Sequence, residues 1–257
     1  MKRVATALVL IPAVVWLVLK GPYWALIVAF TVVGSMGFWE FDRMAVKCGS
    51  IGTALYGMIA GVVLLGTPQP AIVAILIAPV ALAMMMSLGD LKQVPLTAGT
   101  FTVGVLYIFG SLRCALDLRA LNPHWLMFAL LLSWVGDTAA LYAGRAFGTH
   151  KLAPRISPGK TWEGSVASVI ASVAIGAVYA RYFIPASPLW LALALGAAGN
   201  IAGQIGDLAE SAMKRGAGVK DSGTSLPGHG GWLDRIDATL FSVPAVYALL
   251  LFLKIGV

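Results

Sequence analysis

Long apolar runs, each close in length to what a helix needs to cross a bilayer, dominate this chain of 257 residues. Hydrophobic residues make up 59% of the sequence and charged residues 11%, whereas an ordinary globular domain has about 25% charged residues. Because a membrane helix needs about 20 apolar residues, the runs predict an all-α, polytopic integral membrane protein. The predicted spans are residues 4–19, 23–41, 51–66, 71–88, 97–116, 125–142, 164–183, 189–205 and 238–253.

About nine transmembrane helices are therefore expected. The third run is short and rich in glycine, so eight or ten spans are also compatible with the sequence. The first run follows Lys2 and Arg3 but has no convincing small-residue cleavage site, which favours a membrane anchor over a signal peptide. With no long polar linker and no strong repeat, the sequence predicts a single membrane domain over residues 1–257.

The basic residues indicate the orientation of these helices. With the N-terminus inside, thirteen of the 18 Lys and Arg residues fall in cytoplasmic segments and five fall on the other side. This positive-inside bias predicts a multi-pass protein of a cell membrane, of the bacterial inner-membrane type, with a cytoplasmic N-terminus. The polar loops 144–163 and 207–237 are then cytoplasmic as well.

Residues 207–237 hold nine charged residues and His229 in a glycine-rich segment. Acids and bases mixed with glycine suit a site for phosphate and a cation, because carboxylates bind metal, basic groups meet phosphate oxygens and bare backbone allows close approach. The eighth run is expected to continue as a helix beyond the membrane until Gly216. One polar face of this extension, at spacings of three and four residues, contains Asp207, Glu210, Ser211 and Lys214.

Two interpretations of these acids remain open. The extension is either a solvated helix end with a Glu210–Lys214 pair, or one side of a metal site. Asp234 and Asp237 open the ninth helix, so two helix ends could present Asp207 and Asp234 to one divalent cation completed by phosphate and water. Asp234 is alternatively an N-cap residue.

His229 and the Lys214–Arg215 pair also allow more than one role. His229 is a candidate acid, nucleophile, phosphate donor or turn residue, and the roles of phosphate donor and loop organiser are favoured over that of nucleophile. Lys214 and Arg215 meet either substrate phosphate or lipid headgroups.

A second polar cluster lies between the sixth and seventh runs. Ser157 and Pro158 resemble a helix entry, with Ser157 as the cap, Pro158 in the first turn and Glu163 near the positive end of the helix dipole. Amides at that helix end, with Lys160 and Thr161 beside them, would attract phosphate unless the cap is purely structural.

Three acids in or beside apolar runs are interpreted differently. Asp137 lies inside the sixth run, where an ionisable group is costly and is by default functional or paired. Glu40 and Asp42 lie near a predicted membrane interface, and we interpret them as marking topology.

These motifs together resemble the phosphatidate cytidylyltransferases, also called CDP-diacylglycerol synthases. The resemblance covers roughly the C-terminal half of the chain, and the earlier runs match by hydrophobicity alone. One departure is Gly159, where the family often has a first of two adjacent lysines. The matching motifs are Gly136-Asp137 with Gly144-Arg145, Ser157-Pro158-x-Lys160-Thr161-x-Glu163-Gly164, Gln204-x-Gly206-Asp207-Leu208-x-Glu210-Ser211, Ser211-Ala-Met-Lys-Arg, Lys220-Asp221 and Leu226-Pro-Gly-His-Gly-Gly-Trp-Leu-Asp-Arg-Ile-Asp237.

The resemblance implies an enzyme that joins CTP to phosphatidate in the lipid bilayer with Mg²⁺, the number of cations being open. It also implies a homodimer, no nucleic-acid partner, residues 1–116 mainly as scaffold and 125–257 as the catalytic region. Asp207 and Asp234 correspond to metal ligands. The expected catalytic residues are Asp207, Asp234, Lys214, Arg215 and His229, and the expected substrate-binding residues are Asp137, Ser157, Lys160, Thr161, Glu163, Ser211, Lys220, Asp221, Arg235 and Asp237.

Three other function classes are compatible with parts of this pattern. A transporter for an anion would also have ionisable groups inside its helices, but its charges should be spread over two similar halves. A lipid-binding scaffold would have basic loops without the ordered carboxylates. A different polytopic transferase for a nucleotide or a lipid phosphate is the nearest enzyme alternative.

Overall fold

The structure, a computed structural model, describes residues 2–86, 90–225 and 230–254, with side chains from Leu10 onward. Its described part is mostly helical, which confirms the helical class, although one short β-hairpin departs from an all-α fold. The helices are α1 (Lys2–Leu19), α2 (Tyr23–Lys47), α3 (Ala54–Gly66), α4 (Pro70–Met85), α5 (Val94–Val105), α6 (Ser111–Leu121), α7 (Pro123–Phe147), α8 (Trp162–Phe183), α9 (Leu189–Gly216), α10 (Leu233–Ile236) and α11 (Thr239–Phe252). The strands are β1 (Lys151–Ala153) and β2 (Ser157–Thr161).

Within the described residues, most of each predicted apolar run is helical. Five helical segments among the described residues are long and apolar enough to cross a membrane, namely α2, the continuous segment Leu91–Leu121, α7, α8 and α9. In that continuous segment a 3₁₀ turn (Leu91–Gln93) precedes α5, and a π-helical turn (Leu106–Gly110) joins α5 to α6. The remaining apolar helices α3, α4, α11 and the Leu10–Leu19 part of α1 are shorter. The structure therefore supports a polytopic helical membrane protein, and the number of nine spans stays a prediction.

The chain forms two compact units, the first from Met1–Leu116 with Met213–Ile236 and the second from Asp117–Ala212 with Asp237–Val257. In the first unit, the rings of Phe38 and Phe109 lie 6.2 Å apart between centroids and are fully buried. They pack directly over Gly57 and Gly61 of α3, where an added Cβ would overlap the rings. Gly57 and Gly61 of the short third run are therefore required by close helix packing.

A buried set of hydrogen bonds joins the apolar helices α8 and α9 in the second unit. Asn200 Nδ2 donates to Ser168 Oγ at 3.0 Å and to Ser172 Oγ at 2.9 Å. Gln204 Nε2 donates to Asn200 Oδ1 at 2.7 Å, and Ser165 Oγ donates to Gln204 Oε1. These amides and hydroxyls satisfy one another where water is scarce, and we refer to the five residues as the amide ladder.

The predicted extension of the eighth run is confirmed, because α9 continues to Gly216. Its face is not uniformly solvated, however, since Glu210 is fully buried. The interpretation of a solvated helix end is therefore wrong at Glu210. Lys214, the expected partner of Glu210, donates to Asp234 Oδ1 at 2.6 Å.

Candidate active site

The entry to α8 is formed by the β-hairpin and not by a helix start at Ser157. Strand β2 pairs antiparallel with β1, so the backbone from Ser157 onward is extended. Thr161 Oγ1 accepts a hydrogen bond from Gly164 N at 3.2 Å, which makes Thr161 the N-cap residue. The predicted cap at Ser157 and the first turn at Pro158 are therefore wrong, because the strand pairing uses this backbone. Proline is tolerated in such an edge strand.

Glu163 lies in the first turn of α8, which confirms its predicted place near the positive end of the helix dipole. Its Oε1 accepts from Thr149 Oγ1 at 2.7 Å and lies 2.7 Å from His150 Nδ1. The backbone N–H of His150 points at the same carboxylate, at 3.2 Å from Oε1. Glu163 thus ties the segment before the hairpin to the start of the helix, and its negative charge also suits the positive end of the helix dipole.

A cavity of about 500 Å³ opens beside the hairpin within the second unit. Its volume lies in the range of ligand pockets, about 300–1,000 Å³. The side chains that line it include two acids, two bases and several hydroxyls. Five of the predicted site residues meet here, namely Asp137, Ser157, Lys160, Thr161 and Asp207, together with Arg145 and the ladder residues Ser165, Ser168 and Gln204.

The charges in this cavity are partly paired with one another. Lys160 Nζ lies 2.6 Å from Asp207 Oδ2, and their side chains are 26% and 33% exposed. Ser211 Oγ donates to Asp207 Oδ1 at 3.4 Å. A carboxylate has about four acceptor sites, so Asp207 retains capacity for a further ligand on the open side of the cavity.

Asp234 has a more enclosed environment in the first unit. Its Oδ1 accepts from Lys214 Nζ at 2.6 Å, with side-chain exposures of 6% for Asp234 and 12% for Lys214. Its Oδ2 accepts from Gly231 N at 2.7 Å and from Ser222 N at 3.1 Å. Both of these amides precede Asp234 in the chain, whereas an N-cap side chain accepts from amides that follow it. The alternative of a simple N-cap is therefore wrong.

The interpretation of Glu40 and Asp42 as topological residues is also wrong. Both are buried, and each carboxylate accepts hydrogen bonds from other residues of the first unit. Glu40 accepts from Ser222 Oγ, Ser225 Oγ and Leu233 N, and Asp42 accepts from the backbone N and Oγ1 of Thr53. An acid inside an apolar run indicates a functional or paired group, and this criterion, which singled out Asp137, also fits Glu40.

The other predicted site residues lie as follows. Arg215, Lys220, Asp221 and Arg235 are exposed, so the three basic side chains can meet a soluble or lipid-bound anion. Asp237 Oδ1 accepts from Ala238 N at 2.7 Å, at the entry to α11. His229 lies outside the described residues. Among residues 2–86, 90–225 and 230–254, no group of three or more His, Cys, Asp and Glu side chains could hold a metal ion.

Comparison with known proteins extends over almost the whole chain. The sequence model of the cytidylyltransferase family matches residues 1–253. A Pseudomonas aeruginosa protein named phosphatidate cytidylyltransferase is 35% identical over 262 aligned positions, covering 97% of this chain and 96% of the relative. A Brucella suis protein with the same name is 35% identical and covers 95% of this chain and 91% of the relative.

A relative from Staphylococcus saprophyticus, also named phosphatidate cytidylyltransferase, is 42% identical over 149 residues. That match covers 58% of this chain and spans 55% of the relative's length.

Proposed function

Because this chain belongs to the cytidylyltransferase family, we propose that it transfers a cytidylyl group from CTP to phosphatidate, forming CDP-diacylglycerol and pyrophosphate. The observation that carries this proposal is the cavity at the β-hairpin, where Lys160 and Arg145 lie with Asp137 and Asp207. Such a lining suits a triphosphate, whose charge needs both basic groups and a cation. The names of the full-length relatives support phosphatidate as the acceptor.

We propose a direct displacement. A phosphate oxygen of phosphatidate forms a bond to the α-phosphorus of CTP, and the bond from that phosphorus to the pyrophosphate oxygen breaks. Phosphatidate is an oxyanion near neutral pH, so that no general base is needed to activate it. The protein's contribution is then to position the two substrates in line and to neutralise charge on the phosphate oxygens.

The residues that would hold Mg²⁺ are Asp207 and Asp234. Each carboxylate lies 2.6 Å from an ammonium group, so each lies where a cation is already favoured. Phosphate oxygens and water would supply the remaining ligands, as is usual for magnesium. When bound, the metal supplies charge stabilisation for the phosphoryl-type transition state.

Lys160 and Lys214 have a second role in this proposal. In the structure their ammonium groups neutralise the two carboxylates. With substrates and cation present, both lysines exchange this partner for a phosphate oxygen, and the exposed Arg215, Lys220 and Arg235 contribute further contacts. Ser157 and Thr161 lie at the cavity wall, where their hydroxyl groups can donate to a phosphate oxygen bound beside Lys160.

The finer membrane arrangement is also a proposal. We propose about nine spans, a cytoplasmic N-terminus, cytoplasmic polar loops and a homodimer in the cell membrane. The distribution of thirteen and five basic residues supports this orientation. A cytoplasmic site is consistent with the use of CTP, which is a soluble cytoplasmic substrate.

The test uses the purified protein in mixed micelles containing phosphatidate. We expect CDP-diacylglycerol and pyrophosphate to form when CTP, Mg²⁺ and phosphatidate are all present, and neither to form when any one is omitted. Lys160→Met should lower turnover strongly. Lys20→Met, which removes an equal charge at an exposed position outside the predicted site, should leave turnover unchanged. Pyrophosphate release without phosphatidate, or a folded protein that makes no lipid product, would overturn the proposal.

A further inference from the structure

Glu40 is a buried acid in the apolar helix α2, with 1% of its surface exposed. A carboxylate in such a place is costly unless donors surround it. Three donors do so: Ser222 Oγ at 3.0 Å, Ser225 Oγ at 3.0 Å and Leu233 N at 2.9 Å. All of them come from the polar segment Lys220–Asp234, more than 180 residues later in the sequence.

The backbone of that segment is shaped around the Glu40 side chain. Gly223 and Gly231 approach the carboxylate so closely that an added Cβ on either residue would overlap its oxygens. Their lack of a side chain is therefore a condition for the contact. The sequence suggested that glycines in this segment let phosphate approach the backbone. At these two positions glycine instead leaves room for the Glu40 carboxylate.

Glu40 and Asp234 share the same short stretches of chain. Ser222 donates its hydroxyl to Glu40 and its backbone N–H to Asp234. Two residues apart, Gly231 N donates to Asp234 and Leu233 N donates to Glu40. The two carboxylates thus hold one hydrogen-bonded frame, and the loss of either one loosens the donors of the other.

We infer that Glu40 is a positioning residue, which fixes the Asp234 carboxylate in the geometry needed to bind the divalent cation. This inference rests on the proposed function for the identity of the cation site, and on the hydrogen bonds alone for the coupling. Glu40 itself accepts hydrogen bonds from three donors, and we do not propose it as a metal ligand. It acts through Ser222 and the turn from Gly231 to Leu233.

The first measurement is amide hydrogen exchange of the purified protein without substrates. Glu40→Gln keeps the shape of the side chain but replaces one acceptor oxygen with a donor. We expect exchange to become about tenfold faster or more at Leu233, its direct partner, and also at Ser222 and Gly231, which donate to Asp234. Asp42→Asn is the matched control, because this neighbouring buried acid on α2 should release the amide of Thr53 and leave the other three unchanged.

The second measurement is Mn²⁺ binding followed by electron paramagnetic resonance. We expect Glu40→Gln to raise the Mn²⁺ dissociation constant by about tenfold, and Asp42→Asn to leave it unchanged. Should Glu40→Gln fail to fold, Ser222→Ala removes one donor hydroxyl while retaining the backbone N–H, and it should weaken Mn²⁺ binding in the same direction.

The outcomes separate this inference from the proposed function. The positioning role is overturned if Glu40→Gln changes neither amide exchange at Ser222 and Gly231 nor Mn²⁺ binding. The same outcome in Ser222→Ala overturns it if that variant is used. If the wild-type protein forms CDP-diacylglycerol while Glu40→Gln and Asp42→Asn behave alike, the inference about Glu40 fails and the proposed function stands. If the wild-type protein forms none, the proposed function fails, and faster exchange at the Asp234 donors still supports the coupling.

Discussion

Replacing Asp234 with Asn should destabilise the protein as well as inactivate it. The Asp234 carboxylate accepts from Lys214 on one oxygen and from two backbone amides on the other. Asn has one oxygen, so if that oxygen keeps both amides, its NH₂ group faces the ammonium of Lys214. With exposures of 6% and 12%, neither side chain can turn freely into solvent. Breaking such a buried pair from one side costs about 3 kcal/mol of unfolding free energy.

Asp207→Asn provides the matched comparison. Its ion pair with Lys160 has the same 2.6 Å distance, but the side chains are 33% and 26% exposed. The Lys160 side chain can therefore move into water when its partner is removed, and the loss of unfolding free energy should be at most about 1 kcal/mol. Both variants should nevertheless lower turnover by at least about a hundredfold, because both remove a proposed metal ligand.

The measurement is reversible unfolding by SDS titration in mixed micelles with a chelator, followed by turnover at limiting Mg²⁺. Equal losses of unfolding free energy in the two variants would refute the argument that burial decides the cost. Near-normal turnover in either folded variant would refute its assignment as a metal ligand. Lys214→Met combined with Asp234→Asn should recover part of the stability, because the ammonium that faces the new amide NH₂ group is then removed.

Three further predictions concern topology, mechanism and packing. In a background without Cys48 and Cys114, cysteines at Gly159 and Thr224 should react with an impermeant thiol reagent from the cytoplasmic side, and one at the exposed Ala186 from the opposite side; labelling of both loops from outside would contradict the orientation. Without phosphatidate, labelled pyrophosphate should not exchange into CTP, and His229→Gln should be impaired but active; rapid exchange that disappears in this variant would instead reveal a covalent cytidylyl-enzyme. Gly61→Ala should lower the melting temperature because its Cβ overlaps the ring of Phe109, whereas Gly66→Ala, which faces open space, should not; equal melting temperatures would count against the packing argument.

The positions of the helices could be predicted because a bilayer leaves an apolar run few alternatives. A chain segment without water must satisfy its own backbone, so each run of suitable length becomes a helix. The continuation of α9 to Gly216 followed from the polar spacing along one face and the glycine that ends it. The number of spans is harder to predict, since α3 and α11 are apolar but have 13 and 14 residues.

The hairpin and Glu40 were missed for two different physical reasons. Ser157-Pro158 is a favourable helix start by local propensity, and strands of three and five residues are too short to show alternation. Tertiary pairing between β1 and β2 therefore overrode the local preference. The partners of Glu40 are 182 to 193 residues away, a separation at which no local pattern signals a contact.

The amide ladder has a consequence for how the second unit keeps its alignment. Asn200, Gln204 and Asp207 follow one another at spacings of four and three residues, so they lie along a single stripe of α9. In lipid, apolar side chains hold a helix only weakly against sliding or turning, because the surrounding tails are equally apolar. A slip of α9 by one residue would rotate the stripe by about 100°, and every amide–hydroxyl bond to α8 would break at once. The ladder therefore fixes the rotation of α9 against α8, and with it the direction from which the Asp207 side chain faces the cavity.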